Sequence, residues 1–282
     1  MSLTFTRNAI MSLPKIKVYW LEKSRAQSIL WLLEELKLPY ELDVFKRDPT
    51  TSLAPKDLLK IHPLGKSPLV ELRPAETTAD ADGPAPPPLV LAESGYIFQF
   101  LTTHFAAHQG KADLIPQRWA EGHEGDVFGE TEAYRRYEYL LHYAEGSLMP
   151  YIVMSLILGR MGSSAVPFPI RPITGMVAGR VSQSYIVPNM KRHFAMLEGM
   201  LSSSGGRFIT GNSLTAADIL LSFPLFAAMA RCASLEQWEK GSLEATYPLL
   251  AKYADALKSQ PGYEASKERI KKETGEFQDL LR

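Results

Sequence analysis

The 282-residue chain holds a single cysteine, Cys232, so it can close no internal disulfide. Its fold must rest on packing, and a reducing compartment is the natural home of such a chain. An excess of one charge is missing too. Lys plus Arg number 31 and Asp plus Glu number 31, so no net field draws nucleic acid, and no nucleic-acid partner is expected. Long apolar runs are absent. The run Leu148–Leu158 is interrupted by Pro150 and Ser155 and is far shorter than the ~20 residues a bilayer requires. That run reads as core rather than membrane contact. Residues 1–14 lack the apolar centre of a secretory signal but carry Arg7 and no acid. They read as a disordered extension, with an organellar presequence as the alternative.

What is present is ordinary globular composition, 45% apolar and 22% charged, in a chain long enough for two domains. Lys15–Leu21 is rich in strand formers and reads as a strand. Arg25–Leu38 follows with Ile29, Leu30, Leu32, Leu33 and Leu36 at helical spacing, and Ser24 with Gln27 has the form of a capping box. Glu41–Phe45 is a second strand, completing a βαβ unit. After a short helix at Pro55–Ile61, Leu69–Leu72 and Leu89–Leu91 read as a strand pair around a mobile Pro- and Ala-rich loop, Arg73–Pro88, and Ser94–Phe105 reads as a helix. The order β-α-β then ββ-α is thioredoxin-like. Strand signals stop near residue 111. Helices are expected over Glu124–Leu148, Val187–Leu201, Thr215–Arg231 and Tyr247–Ser259. A long loop or broken helix is expected at Val166–Gly179, where Pro167, Pro169 and Pro172 fall, with solvated residues at the end. The domains are therefore drawn at 15–110, α/β, and 111–282, all-helical.

Two short segments carry chemistry. Glu93 and Ser94 lie between a strand end and a helix start. The unpaired N–H groups and partial positive charge there suit a carboxylate, and Glu93 suits an amine, so the pair can read the α-amino acid end of a ligand. The alternative is that Ser94 merely caps the helix. Lys66-Ser67-Pro68 precedes a strand: Pro68 either follows a cis bond that presents the Ser67 backbone, or simply starts an edge strand. Lys66 alone reads as a surface charge.

With these segments in order, residues 15–110 resemble the N-terminal domain of the cytosolic-type glutathione transferases. The stretches WLEKSRAQSILWLLEELKLPYEL, KIHPLGKSPLV and LAESGYIFQFL are closest to the fungal and bacterial branch that includes the yeast enzyme associated with the endoplasmic reticulum. The resemblance implies a thioredoxin-like domain followed by an all-α domain. It implies conjugation of the glutathione thiolate to small hydrophobic electrophiles, with accessory glutathione peroxidase activity, glutathione as co-substrate and no metal. It implies a homodimer in the cytoplasm, with peripheral attachment to the endoplasmic reticulum or mitochondria. Ser67, before Pro68, would pair its backbone with the cysteinyl unit; Glu93 and Ser94 would hold the γ-glutamyl amine and carboxylate; Lys66 would lie against the glutathione backbone or glycyl carboxylate. Asn212–Ile219 matches the family's folding motif, with Thr215 and Asp218 as a capping-box variant and Leu214 against Ile219 as a staple.

Conjugation requires a thiolate, and the resemblance implies a hydroxyl or amide donor near the N-terminus of the first helix, whose dipole also favours the anion. The window is Glu22–Arg25. Ser24 is the first choice for this catalytic role and Arg25 the second, with plain helix capping as the alternative for Ser24. Tyr19 is a further candidate, inside a strand where packing is the expected role. A non-catalytic glutathione-binding module is the competing reading. His104 and His108, at i and i+4, lack a third metal ligand, and Cys232 reads as a core thiol. The tyrosines at 134, 137, 139 and 143 are candidates to line the electrophile pocket.

Overall fold

The computed structural model describes residues 13–75, 86–233 and 238–277. Residues 1–12 of the expected extension and the middle of the expected 73–88 loop lie outside the described residues. The α/β part begins with β1 (Lys15–Leu21), whose apolar residues are buried on both faces, followed by α1 (Ala26–Glu35) and β2 (Tyr40–Phe45). β1 and β2 run parallel, with Ile16 opposite Tyr40 and Leu21 opposite Phe45. A single turn of helix, Lys56–Lys60, leads to β3 (Leu69–Arg73) and β4 (Leu89–Ala92), each antiparallel to its neighbour. The sheet order β2-β1-β3-β4 is thioredoxin-like. α1 is buried almost throughout, because it is wedged between the sheet and the helical part: Ile29, Leu30, Leu32 and Leu33 have no exposed surface. α2 (Ser94–Leu101) continues through a wider turn to Ala106.

The rest is helical. α3 (Glu132–Tyr143) passes through a five-residue wide turn, Ala144–Leu148, into α4 (Met149–Met161). α5 (Arg171–Val181) reaches α6 (Val187–Ser204) through another wide turn, and α7 (Ala216–Ala233), α8 (Leu243–Thr246), α9 (Pro248–Lys258) and α10 (Pro261–Thr274) follow. α7 is the central helix. It has the length and hydropathy of a membrane span, but most of it is buried in the core. Its start is built as expected: Asp218 accepts from the Thr215 N–H at 2.9 Å and the Thr215 hydroxyl at 2.6 Å, and it also takes the Tyr253 hydroxyl at 2.7 Å. Burial pushes the Asp218 carboxyl up, while the Thr215 and Tyr253 donors pull it down.

Four expectations need correction. The helix expected from Glu124 starts at Glu132, because Thr131 caps it by accepting from the Tyr134 N–H at 3.1 Å, and positive-φ glycines at 122 and 125 turn the preceding chain. The expected break at Val166–Gly179 contains α5, because Pro172 falls in its first turn, where no N–H partner is required. The run Leu148–Leu158 is only partly core: Leu148 and Ile152 are buried and Met149, Tyr151, Met154 and Leu158 pack against them, whereas Val153, Leu156 and Ile157 are exposed. Residues 261–274, where no helix was expected, form α10, which packs on α1 with the Tyr263 ring 5.2 Å from Trp31; residues 278–282 lie outside the described residues.

Candidate active site

A cavity of about 190 Å³ opens where the carboxyl ends of β1 and β4 meet the helical part. Its floor is the Ser67–Pro68 segment ahead of β3. That bond is cis, and the Ser67 hydroxyl donates to the Tyr19 carbonyl at 3.2 Å, which ties the segment to β1. One wall is the turn from β4 into α2. Glu93 has φ of 70°, an unusual value for a side-chain-bearing residue, and this sharp turn brings the buried Ser94 to the first position of α2. The first N–H groups of that helix have no intrahelical partner, so they and the dipole face the cavity as an anion site.

The rest of the lining comes from two other elements. Arg25 stands at the start of α1, and Glu145 comes from the wide turn between α3 and α4; the two form an ion pair. Lys66 and His62 complete the polar lining. Burial raises the Glu145 carboxyl above its ordinary 4.5, the Arg25 guanidinium opposes this, and Glu93 adds a repulsion that raises it further. One rim therefore offers helix N–H groups to a carboxylate, with carboxylates beside them for an amine. The same lining also offers the Arg25 and Lys66 side chains and the peptide edge at Ser67.

Two family descriptions match the chain in succession: "Glutathione S-transferase, N-terminal domain" over residues 24–104 and "Glutathione S-transferase, C-terminal domain" over residues 177–265. Glutathione S-transferase 1 of Saccharomyces cerevisiae is 38% identical over 93% of this chain and 97% of its own length. The chain belongs to the glutathione S-transferase family. It is also 30% identical to glutathione S-transferase 3 of Schizosaccharomyces pombe, over 76% of this chain and 74% of that one. A solved glutathione S-transferase from Actinobacillus pleuropneumoniae covers 95% of the chain and 96% of its own, at 26% identity and a TM-score of 0.58. A homologue from Sulfitobacter, solved with bound glutathione, shares the fold with a TM-score of 0.57 at 17% identity, over 90% of this chain and 98% of its own.

In this glutathione S-transferase, Arg25, Lys66, Ser67, Pro68, Glu93 and Ser94 all line the one cavity. Ser24 does not. Its hydroxyl donates to the Leu21 carbonyl at 2.6 Å and accepts from the Ala26 N–H at 3.3 Å. It faces a separate cavity of about 70 Å³, between Trp20, Gln27 and the end of α10. The capping box with Gln27 is not formed either: the Gln27 N–H goes to the Ser24 carbonyl, because Arg25 already has helical dihedrals.

Tyr19 donates to Glu71 at 2.8 Å, away from the cavity, and burial with that carboxylate pushes its phenol up to about 12. None of the tyrosines at 134, 137, 139 and 143 lines the cavity: Tyr137 and Tyr143 are buried, and the Tyr143 hydroxyl bonds to His193 at 2.8 Å. Cys232 is a buried thiol pushed up to about 11 by that burial. Among the described residues no three His, Cys, Asp or Glu side chains gather as metal ligands.

Glu145 and His62 are polar residues of the cavity that the sequence reading missed, and for Glu145 a signal existed. The available signal was an acid with no basic side chain three or four residues away except His142, on an otherwise apolar helix face.

Proposed function

We propose that this glutathione S-transferase holds glutathione in the cavity at the α2 start and adds its thiolate to small apolar electrophiles. The observation that carries this reading is the convergence of Ser94, Glu93, Ser67, Pro68 and Arg25 on one cavity. The α2 N-terminus and Ser94 take the γ-glutamyl carboxylate, Glu93 the amine, the Ser67 backbone the cysteinyl unit, and Lys66 the backbone or glycyl carboxylate. Of the two candidates for thiol activation, Arg25 is the one that lines the cavity. A guanidinium beside the sulfur, with the N-terminal N–H groups of α1, stabilises the thiolate and lowers the thiol pKa. Holding both reactants supplies the remaining rate enhancement. Turnover of a generic aryl halide tests the reading. Calorimetry that shows glutathione binding without turnover would establish the non-catalytic module instead. An alkyl hydroperoxide in place of the halide tests the accessory peroxidase reaction.

The partner and location belong to the same proposal: a homodimer in the cytoplasm with peripheral membrane contact. Isologous pairing, the commonest soluble assembly, supports the dimer. Support for membrane contact comes from the α4–α5 hairpin, which exposes Ile157, Phe168, Ile173 and Met176. No acid lies between Glu145 and Glu198, while Arg160, Arg171, Arg180, Lys191 and Arg192 do. An apolar face with cationic flanks suits an anionic lipid surface.

A further inference from the structure

We infer that the second cavity, the one beside Ser24, is a binding site for a small aliphatic carboxylate. It lies where the carboxyl ends of the parallel strands β1 and β2 meet the start of α1, and α10 closes it with Ile270 and Thr274. Open α/β sheets hold their ligands at this end of the strands.

Two donors of its lining have nothing to bond. Trp20 is 7% exposed, and its Nε1 and the Gln27 Nε2 are both buried without a hydrogen-bond partner. Leaving a buried N–H unpaired costs its full desolvation, so native structures keep few of them. Among the described residues five buried side-chain polar atoms lack a partner. Two belong to this lining and a third, Glu145 Oε1, to the lining of the cavity at the α2 start, so these atoms gather at cavities. Lys23, also in the lining, holds φ of 49°, and the Arg47 side chain fixes that turn by donating to the Glu22 and Lys23 carbonyls at 3.1 and 3.3 Å. Backbone strain of this kind persists where the surroundings over-determine it, as at ligand clamps.

The hydroxyls of the lining are already used. Ser24 donates to the Leu21 carbonyl at 2.6 Å, and Thr274 bonds to the Ile270 and Glu276 carbonyls at 2.8 and 2.6 Å. Glu22 accepts the Arg47 N–H at 2.7 Å. Two neutral N–H donors are left, with the Lys23 and Lys46 side chains beside them. A fitting ligand therefore brings two acceptors close together, and a carboxylate does so. Lys23 and Lys46 outnumber the remaining acid, Glu276, so one negative charge balances the lining. Val44, Ile270 and Phe277 give a short hydrocarbon its apolar wall. A volume of about 70 Å³ holds about five water-sized groups, which matches a four-carbon acid.

The test is a titration of the isotope-labelled full chain with butyrate, read at the indole N–H resonances of its four tryptophans. Trp20→Phe identifies the Trp20 resonance by its loss. Butyrate should move that resonance downfield and saturably, leaving the other three in place, and butylamine should not move it. Gln27→Leu removes the second donor and should weaken butyrate by about tenfold or more. An unmoved Trp20 resonance, or equal movement with butylamine, overturns the inference, as does unchanged affinity in Gln27→Leu. Should either variant not fold, the native chain decides: the site requires one indole N–H that responds saturably to butyrate and not to butylamine, and its absence also overturns the inference.

Discussion

Ser24 and Arg25 are adjacent in the chain, yet their side chains serve different cavities. Helix start geometry causes the split: successive side chains there point about 100° apart, so one faces the sheet side and the next the domain boundary. Ser24→Ala should therefore act on stability. Loss of its two hydrogen bonds should cost about 1 kcal/mol, read from a denaturant midpoint, with the pKa of bound glutathione unchanged. Arg25→Ala should do the reverse at the site. The thiol pKa, followed by ultraviolet titration of the bound thiolate, should rise and turnover should fall by about tenfold or more, a change of about 1.4 kcal/mol per tenfold in the barrier. An unmoved thiol pKa in Arg25→Ala would remove Arg25 from its assigned role.

At the scale of elements, α7 and the α2–α3 contact do different work. Asp218 is fully buried and satisfies Thr215, Tyr253 and the Ile209 N–H. Asp218→Ala leaves these donors without an acceptor, so stability should fall by about 2–4 kcal/mol, while glutathione affinity in the folded fraction stays near the native value. Preserved stability with lost binding would reverse that assignment. Gly95→Ala places a methyl against the Leu141 carbonyl and should push α3 away from α2. Glutathione affinity should then drop severalfold with only a modest change in melting temperature. Equal affinity in Gly95→Ala would mean that the close approach does not shape the site.

For the whole molecule, the proposals concern assembly and surface. Light scattering at micromolar concentration should give twice the chain mass, and a monomer would contradict the dimer. Vesicles containing anionic lipid should carry the protein down on sedimentation, and neutral vesicles should carry much less. Met176→Asp, which places an acid on the exposed face of α5, should abolish that difference. Retention of Met176→Asp on anionic vesicles would exclude the hairpin as the contact.

The sequence by itself determined the βαβ and ββα order, the α7 start and the segments Lys66–Pro68 and Glu93–Ser94. Each depends on short-range patterns: alternation, helical spacing, capping pairs and turn residues. Helix boundaries at Glu132 and Arg171 were less legible, because a single Thr cap and a proline tolerated in the first turn decided them locally. Only the tertiary structure decided which way Ser24 and Arg25 face, that α10 covers α1, and that Glu145, some fifty residues beyond Glu93, closes the same cavity. Those outcomes depend on how helices pack across the domain boundary. Long-range packing leaves no periodic trace in the chain beyond an isolated acid on an apolar face.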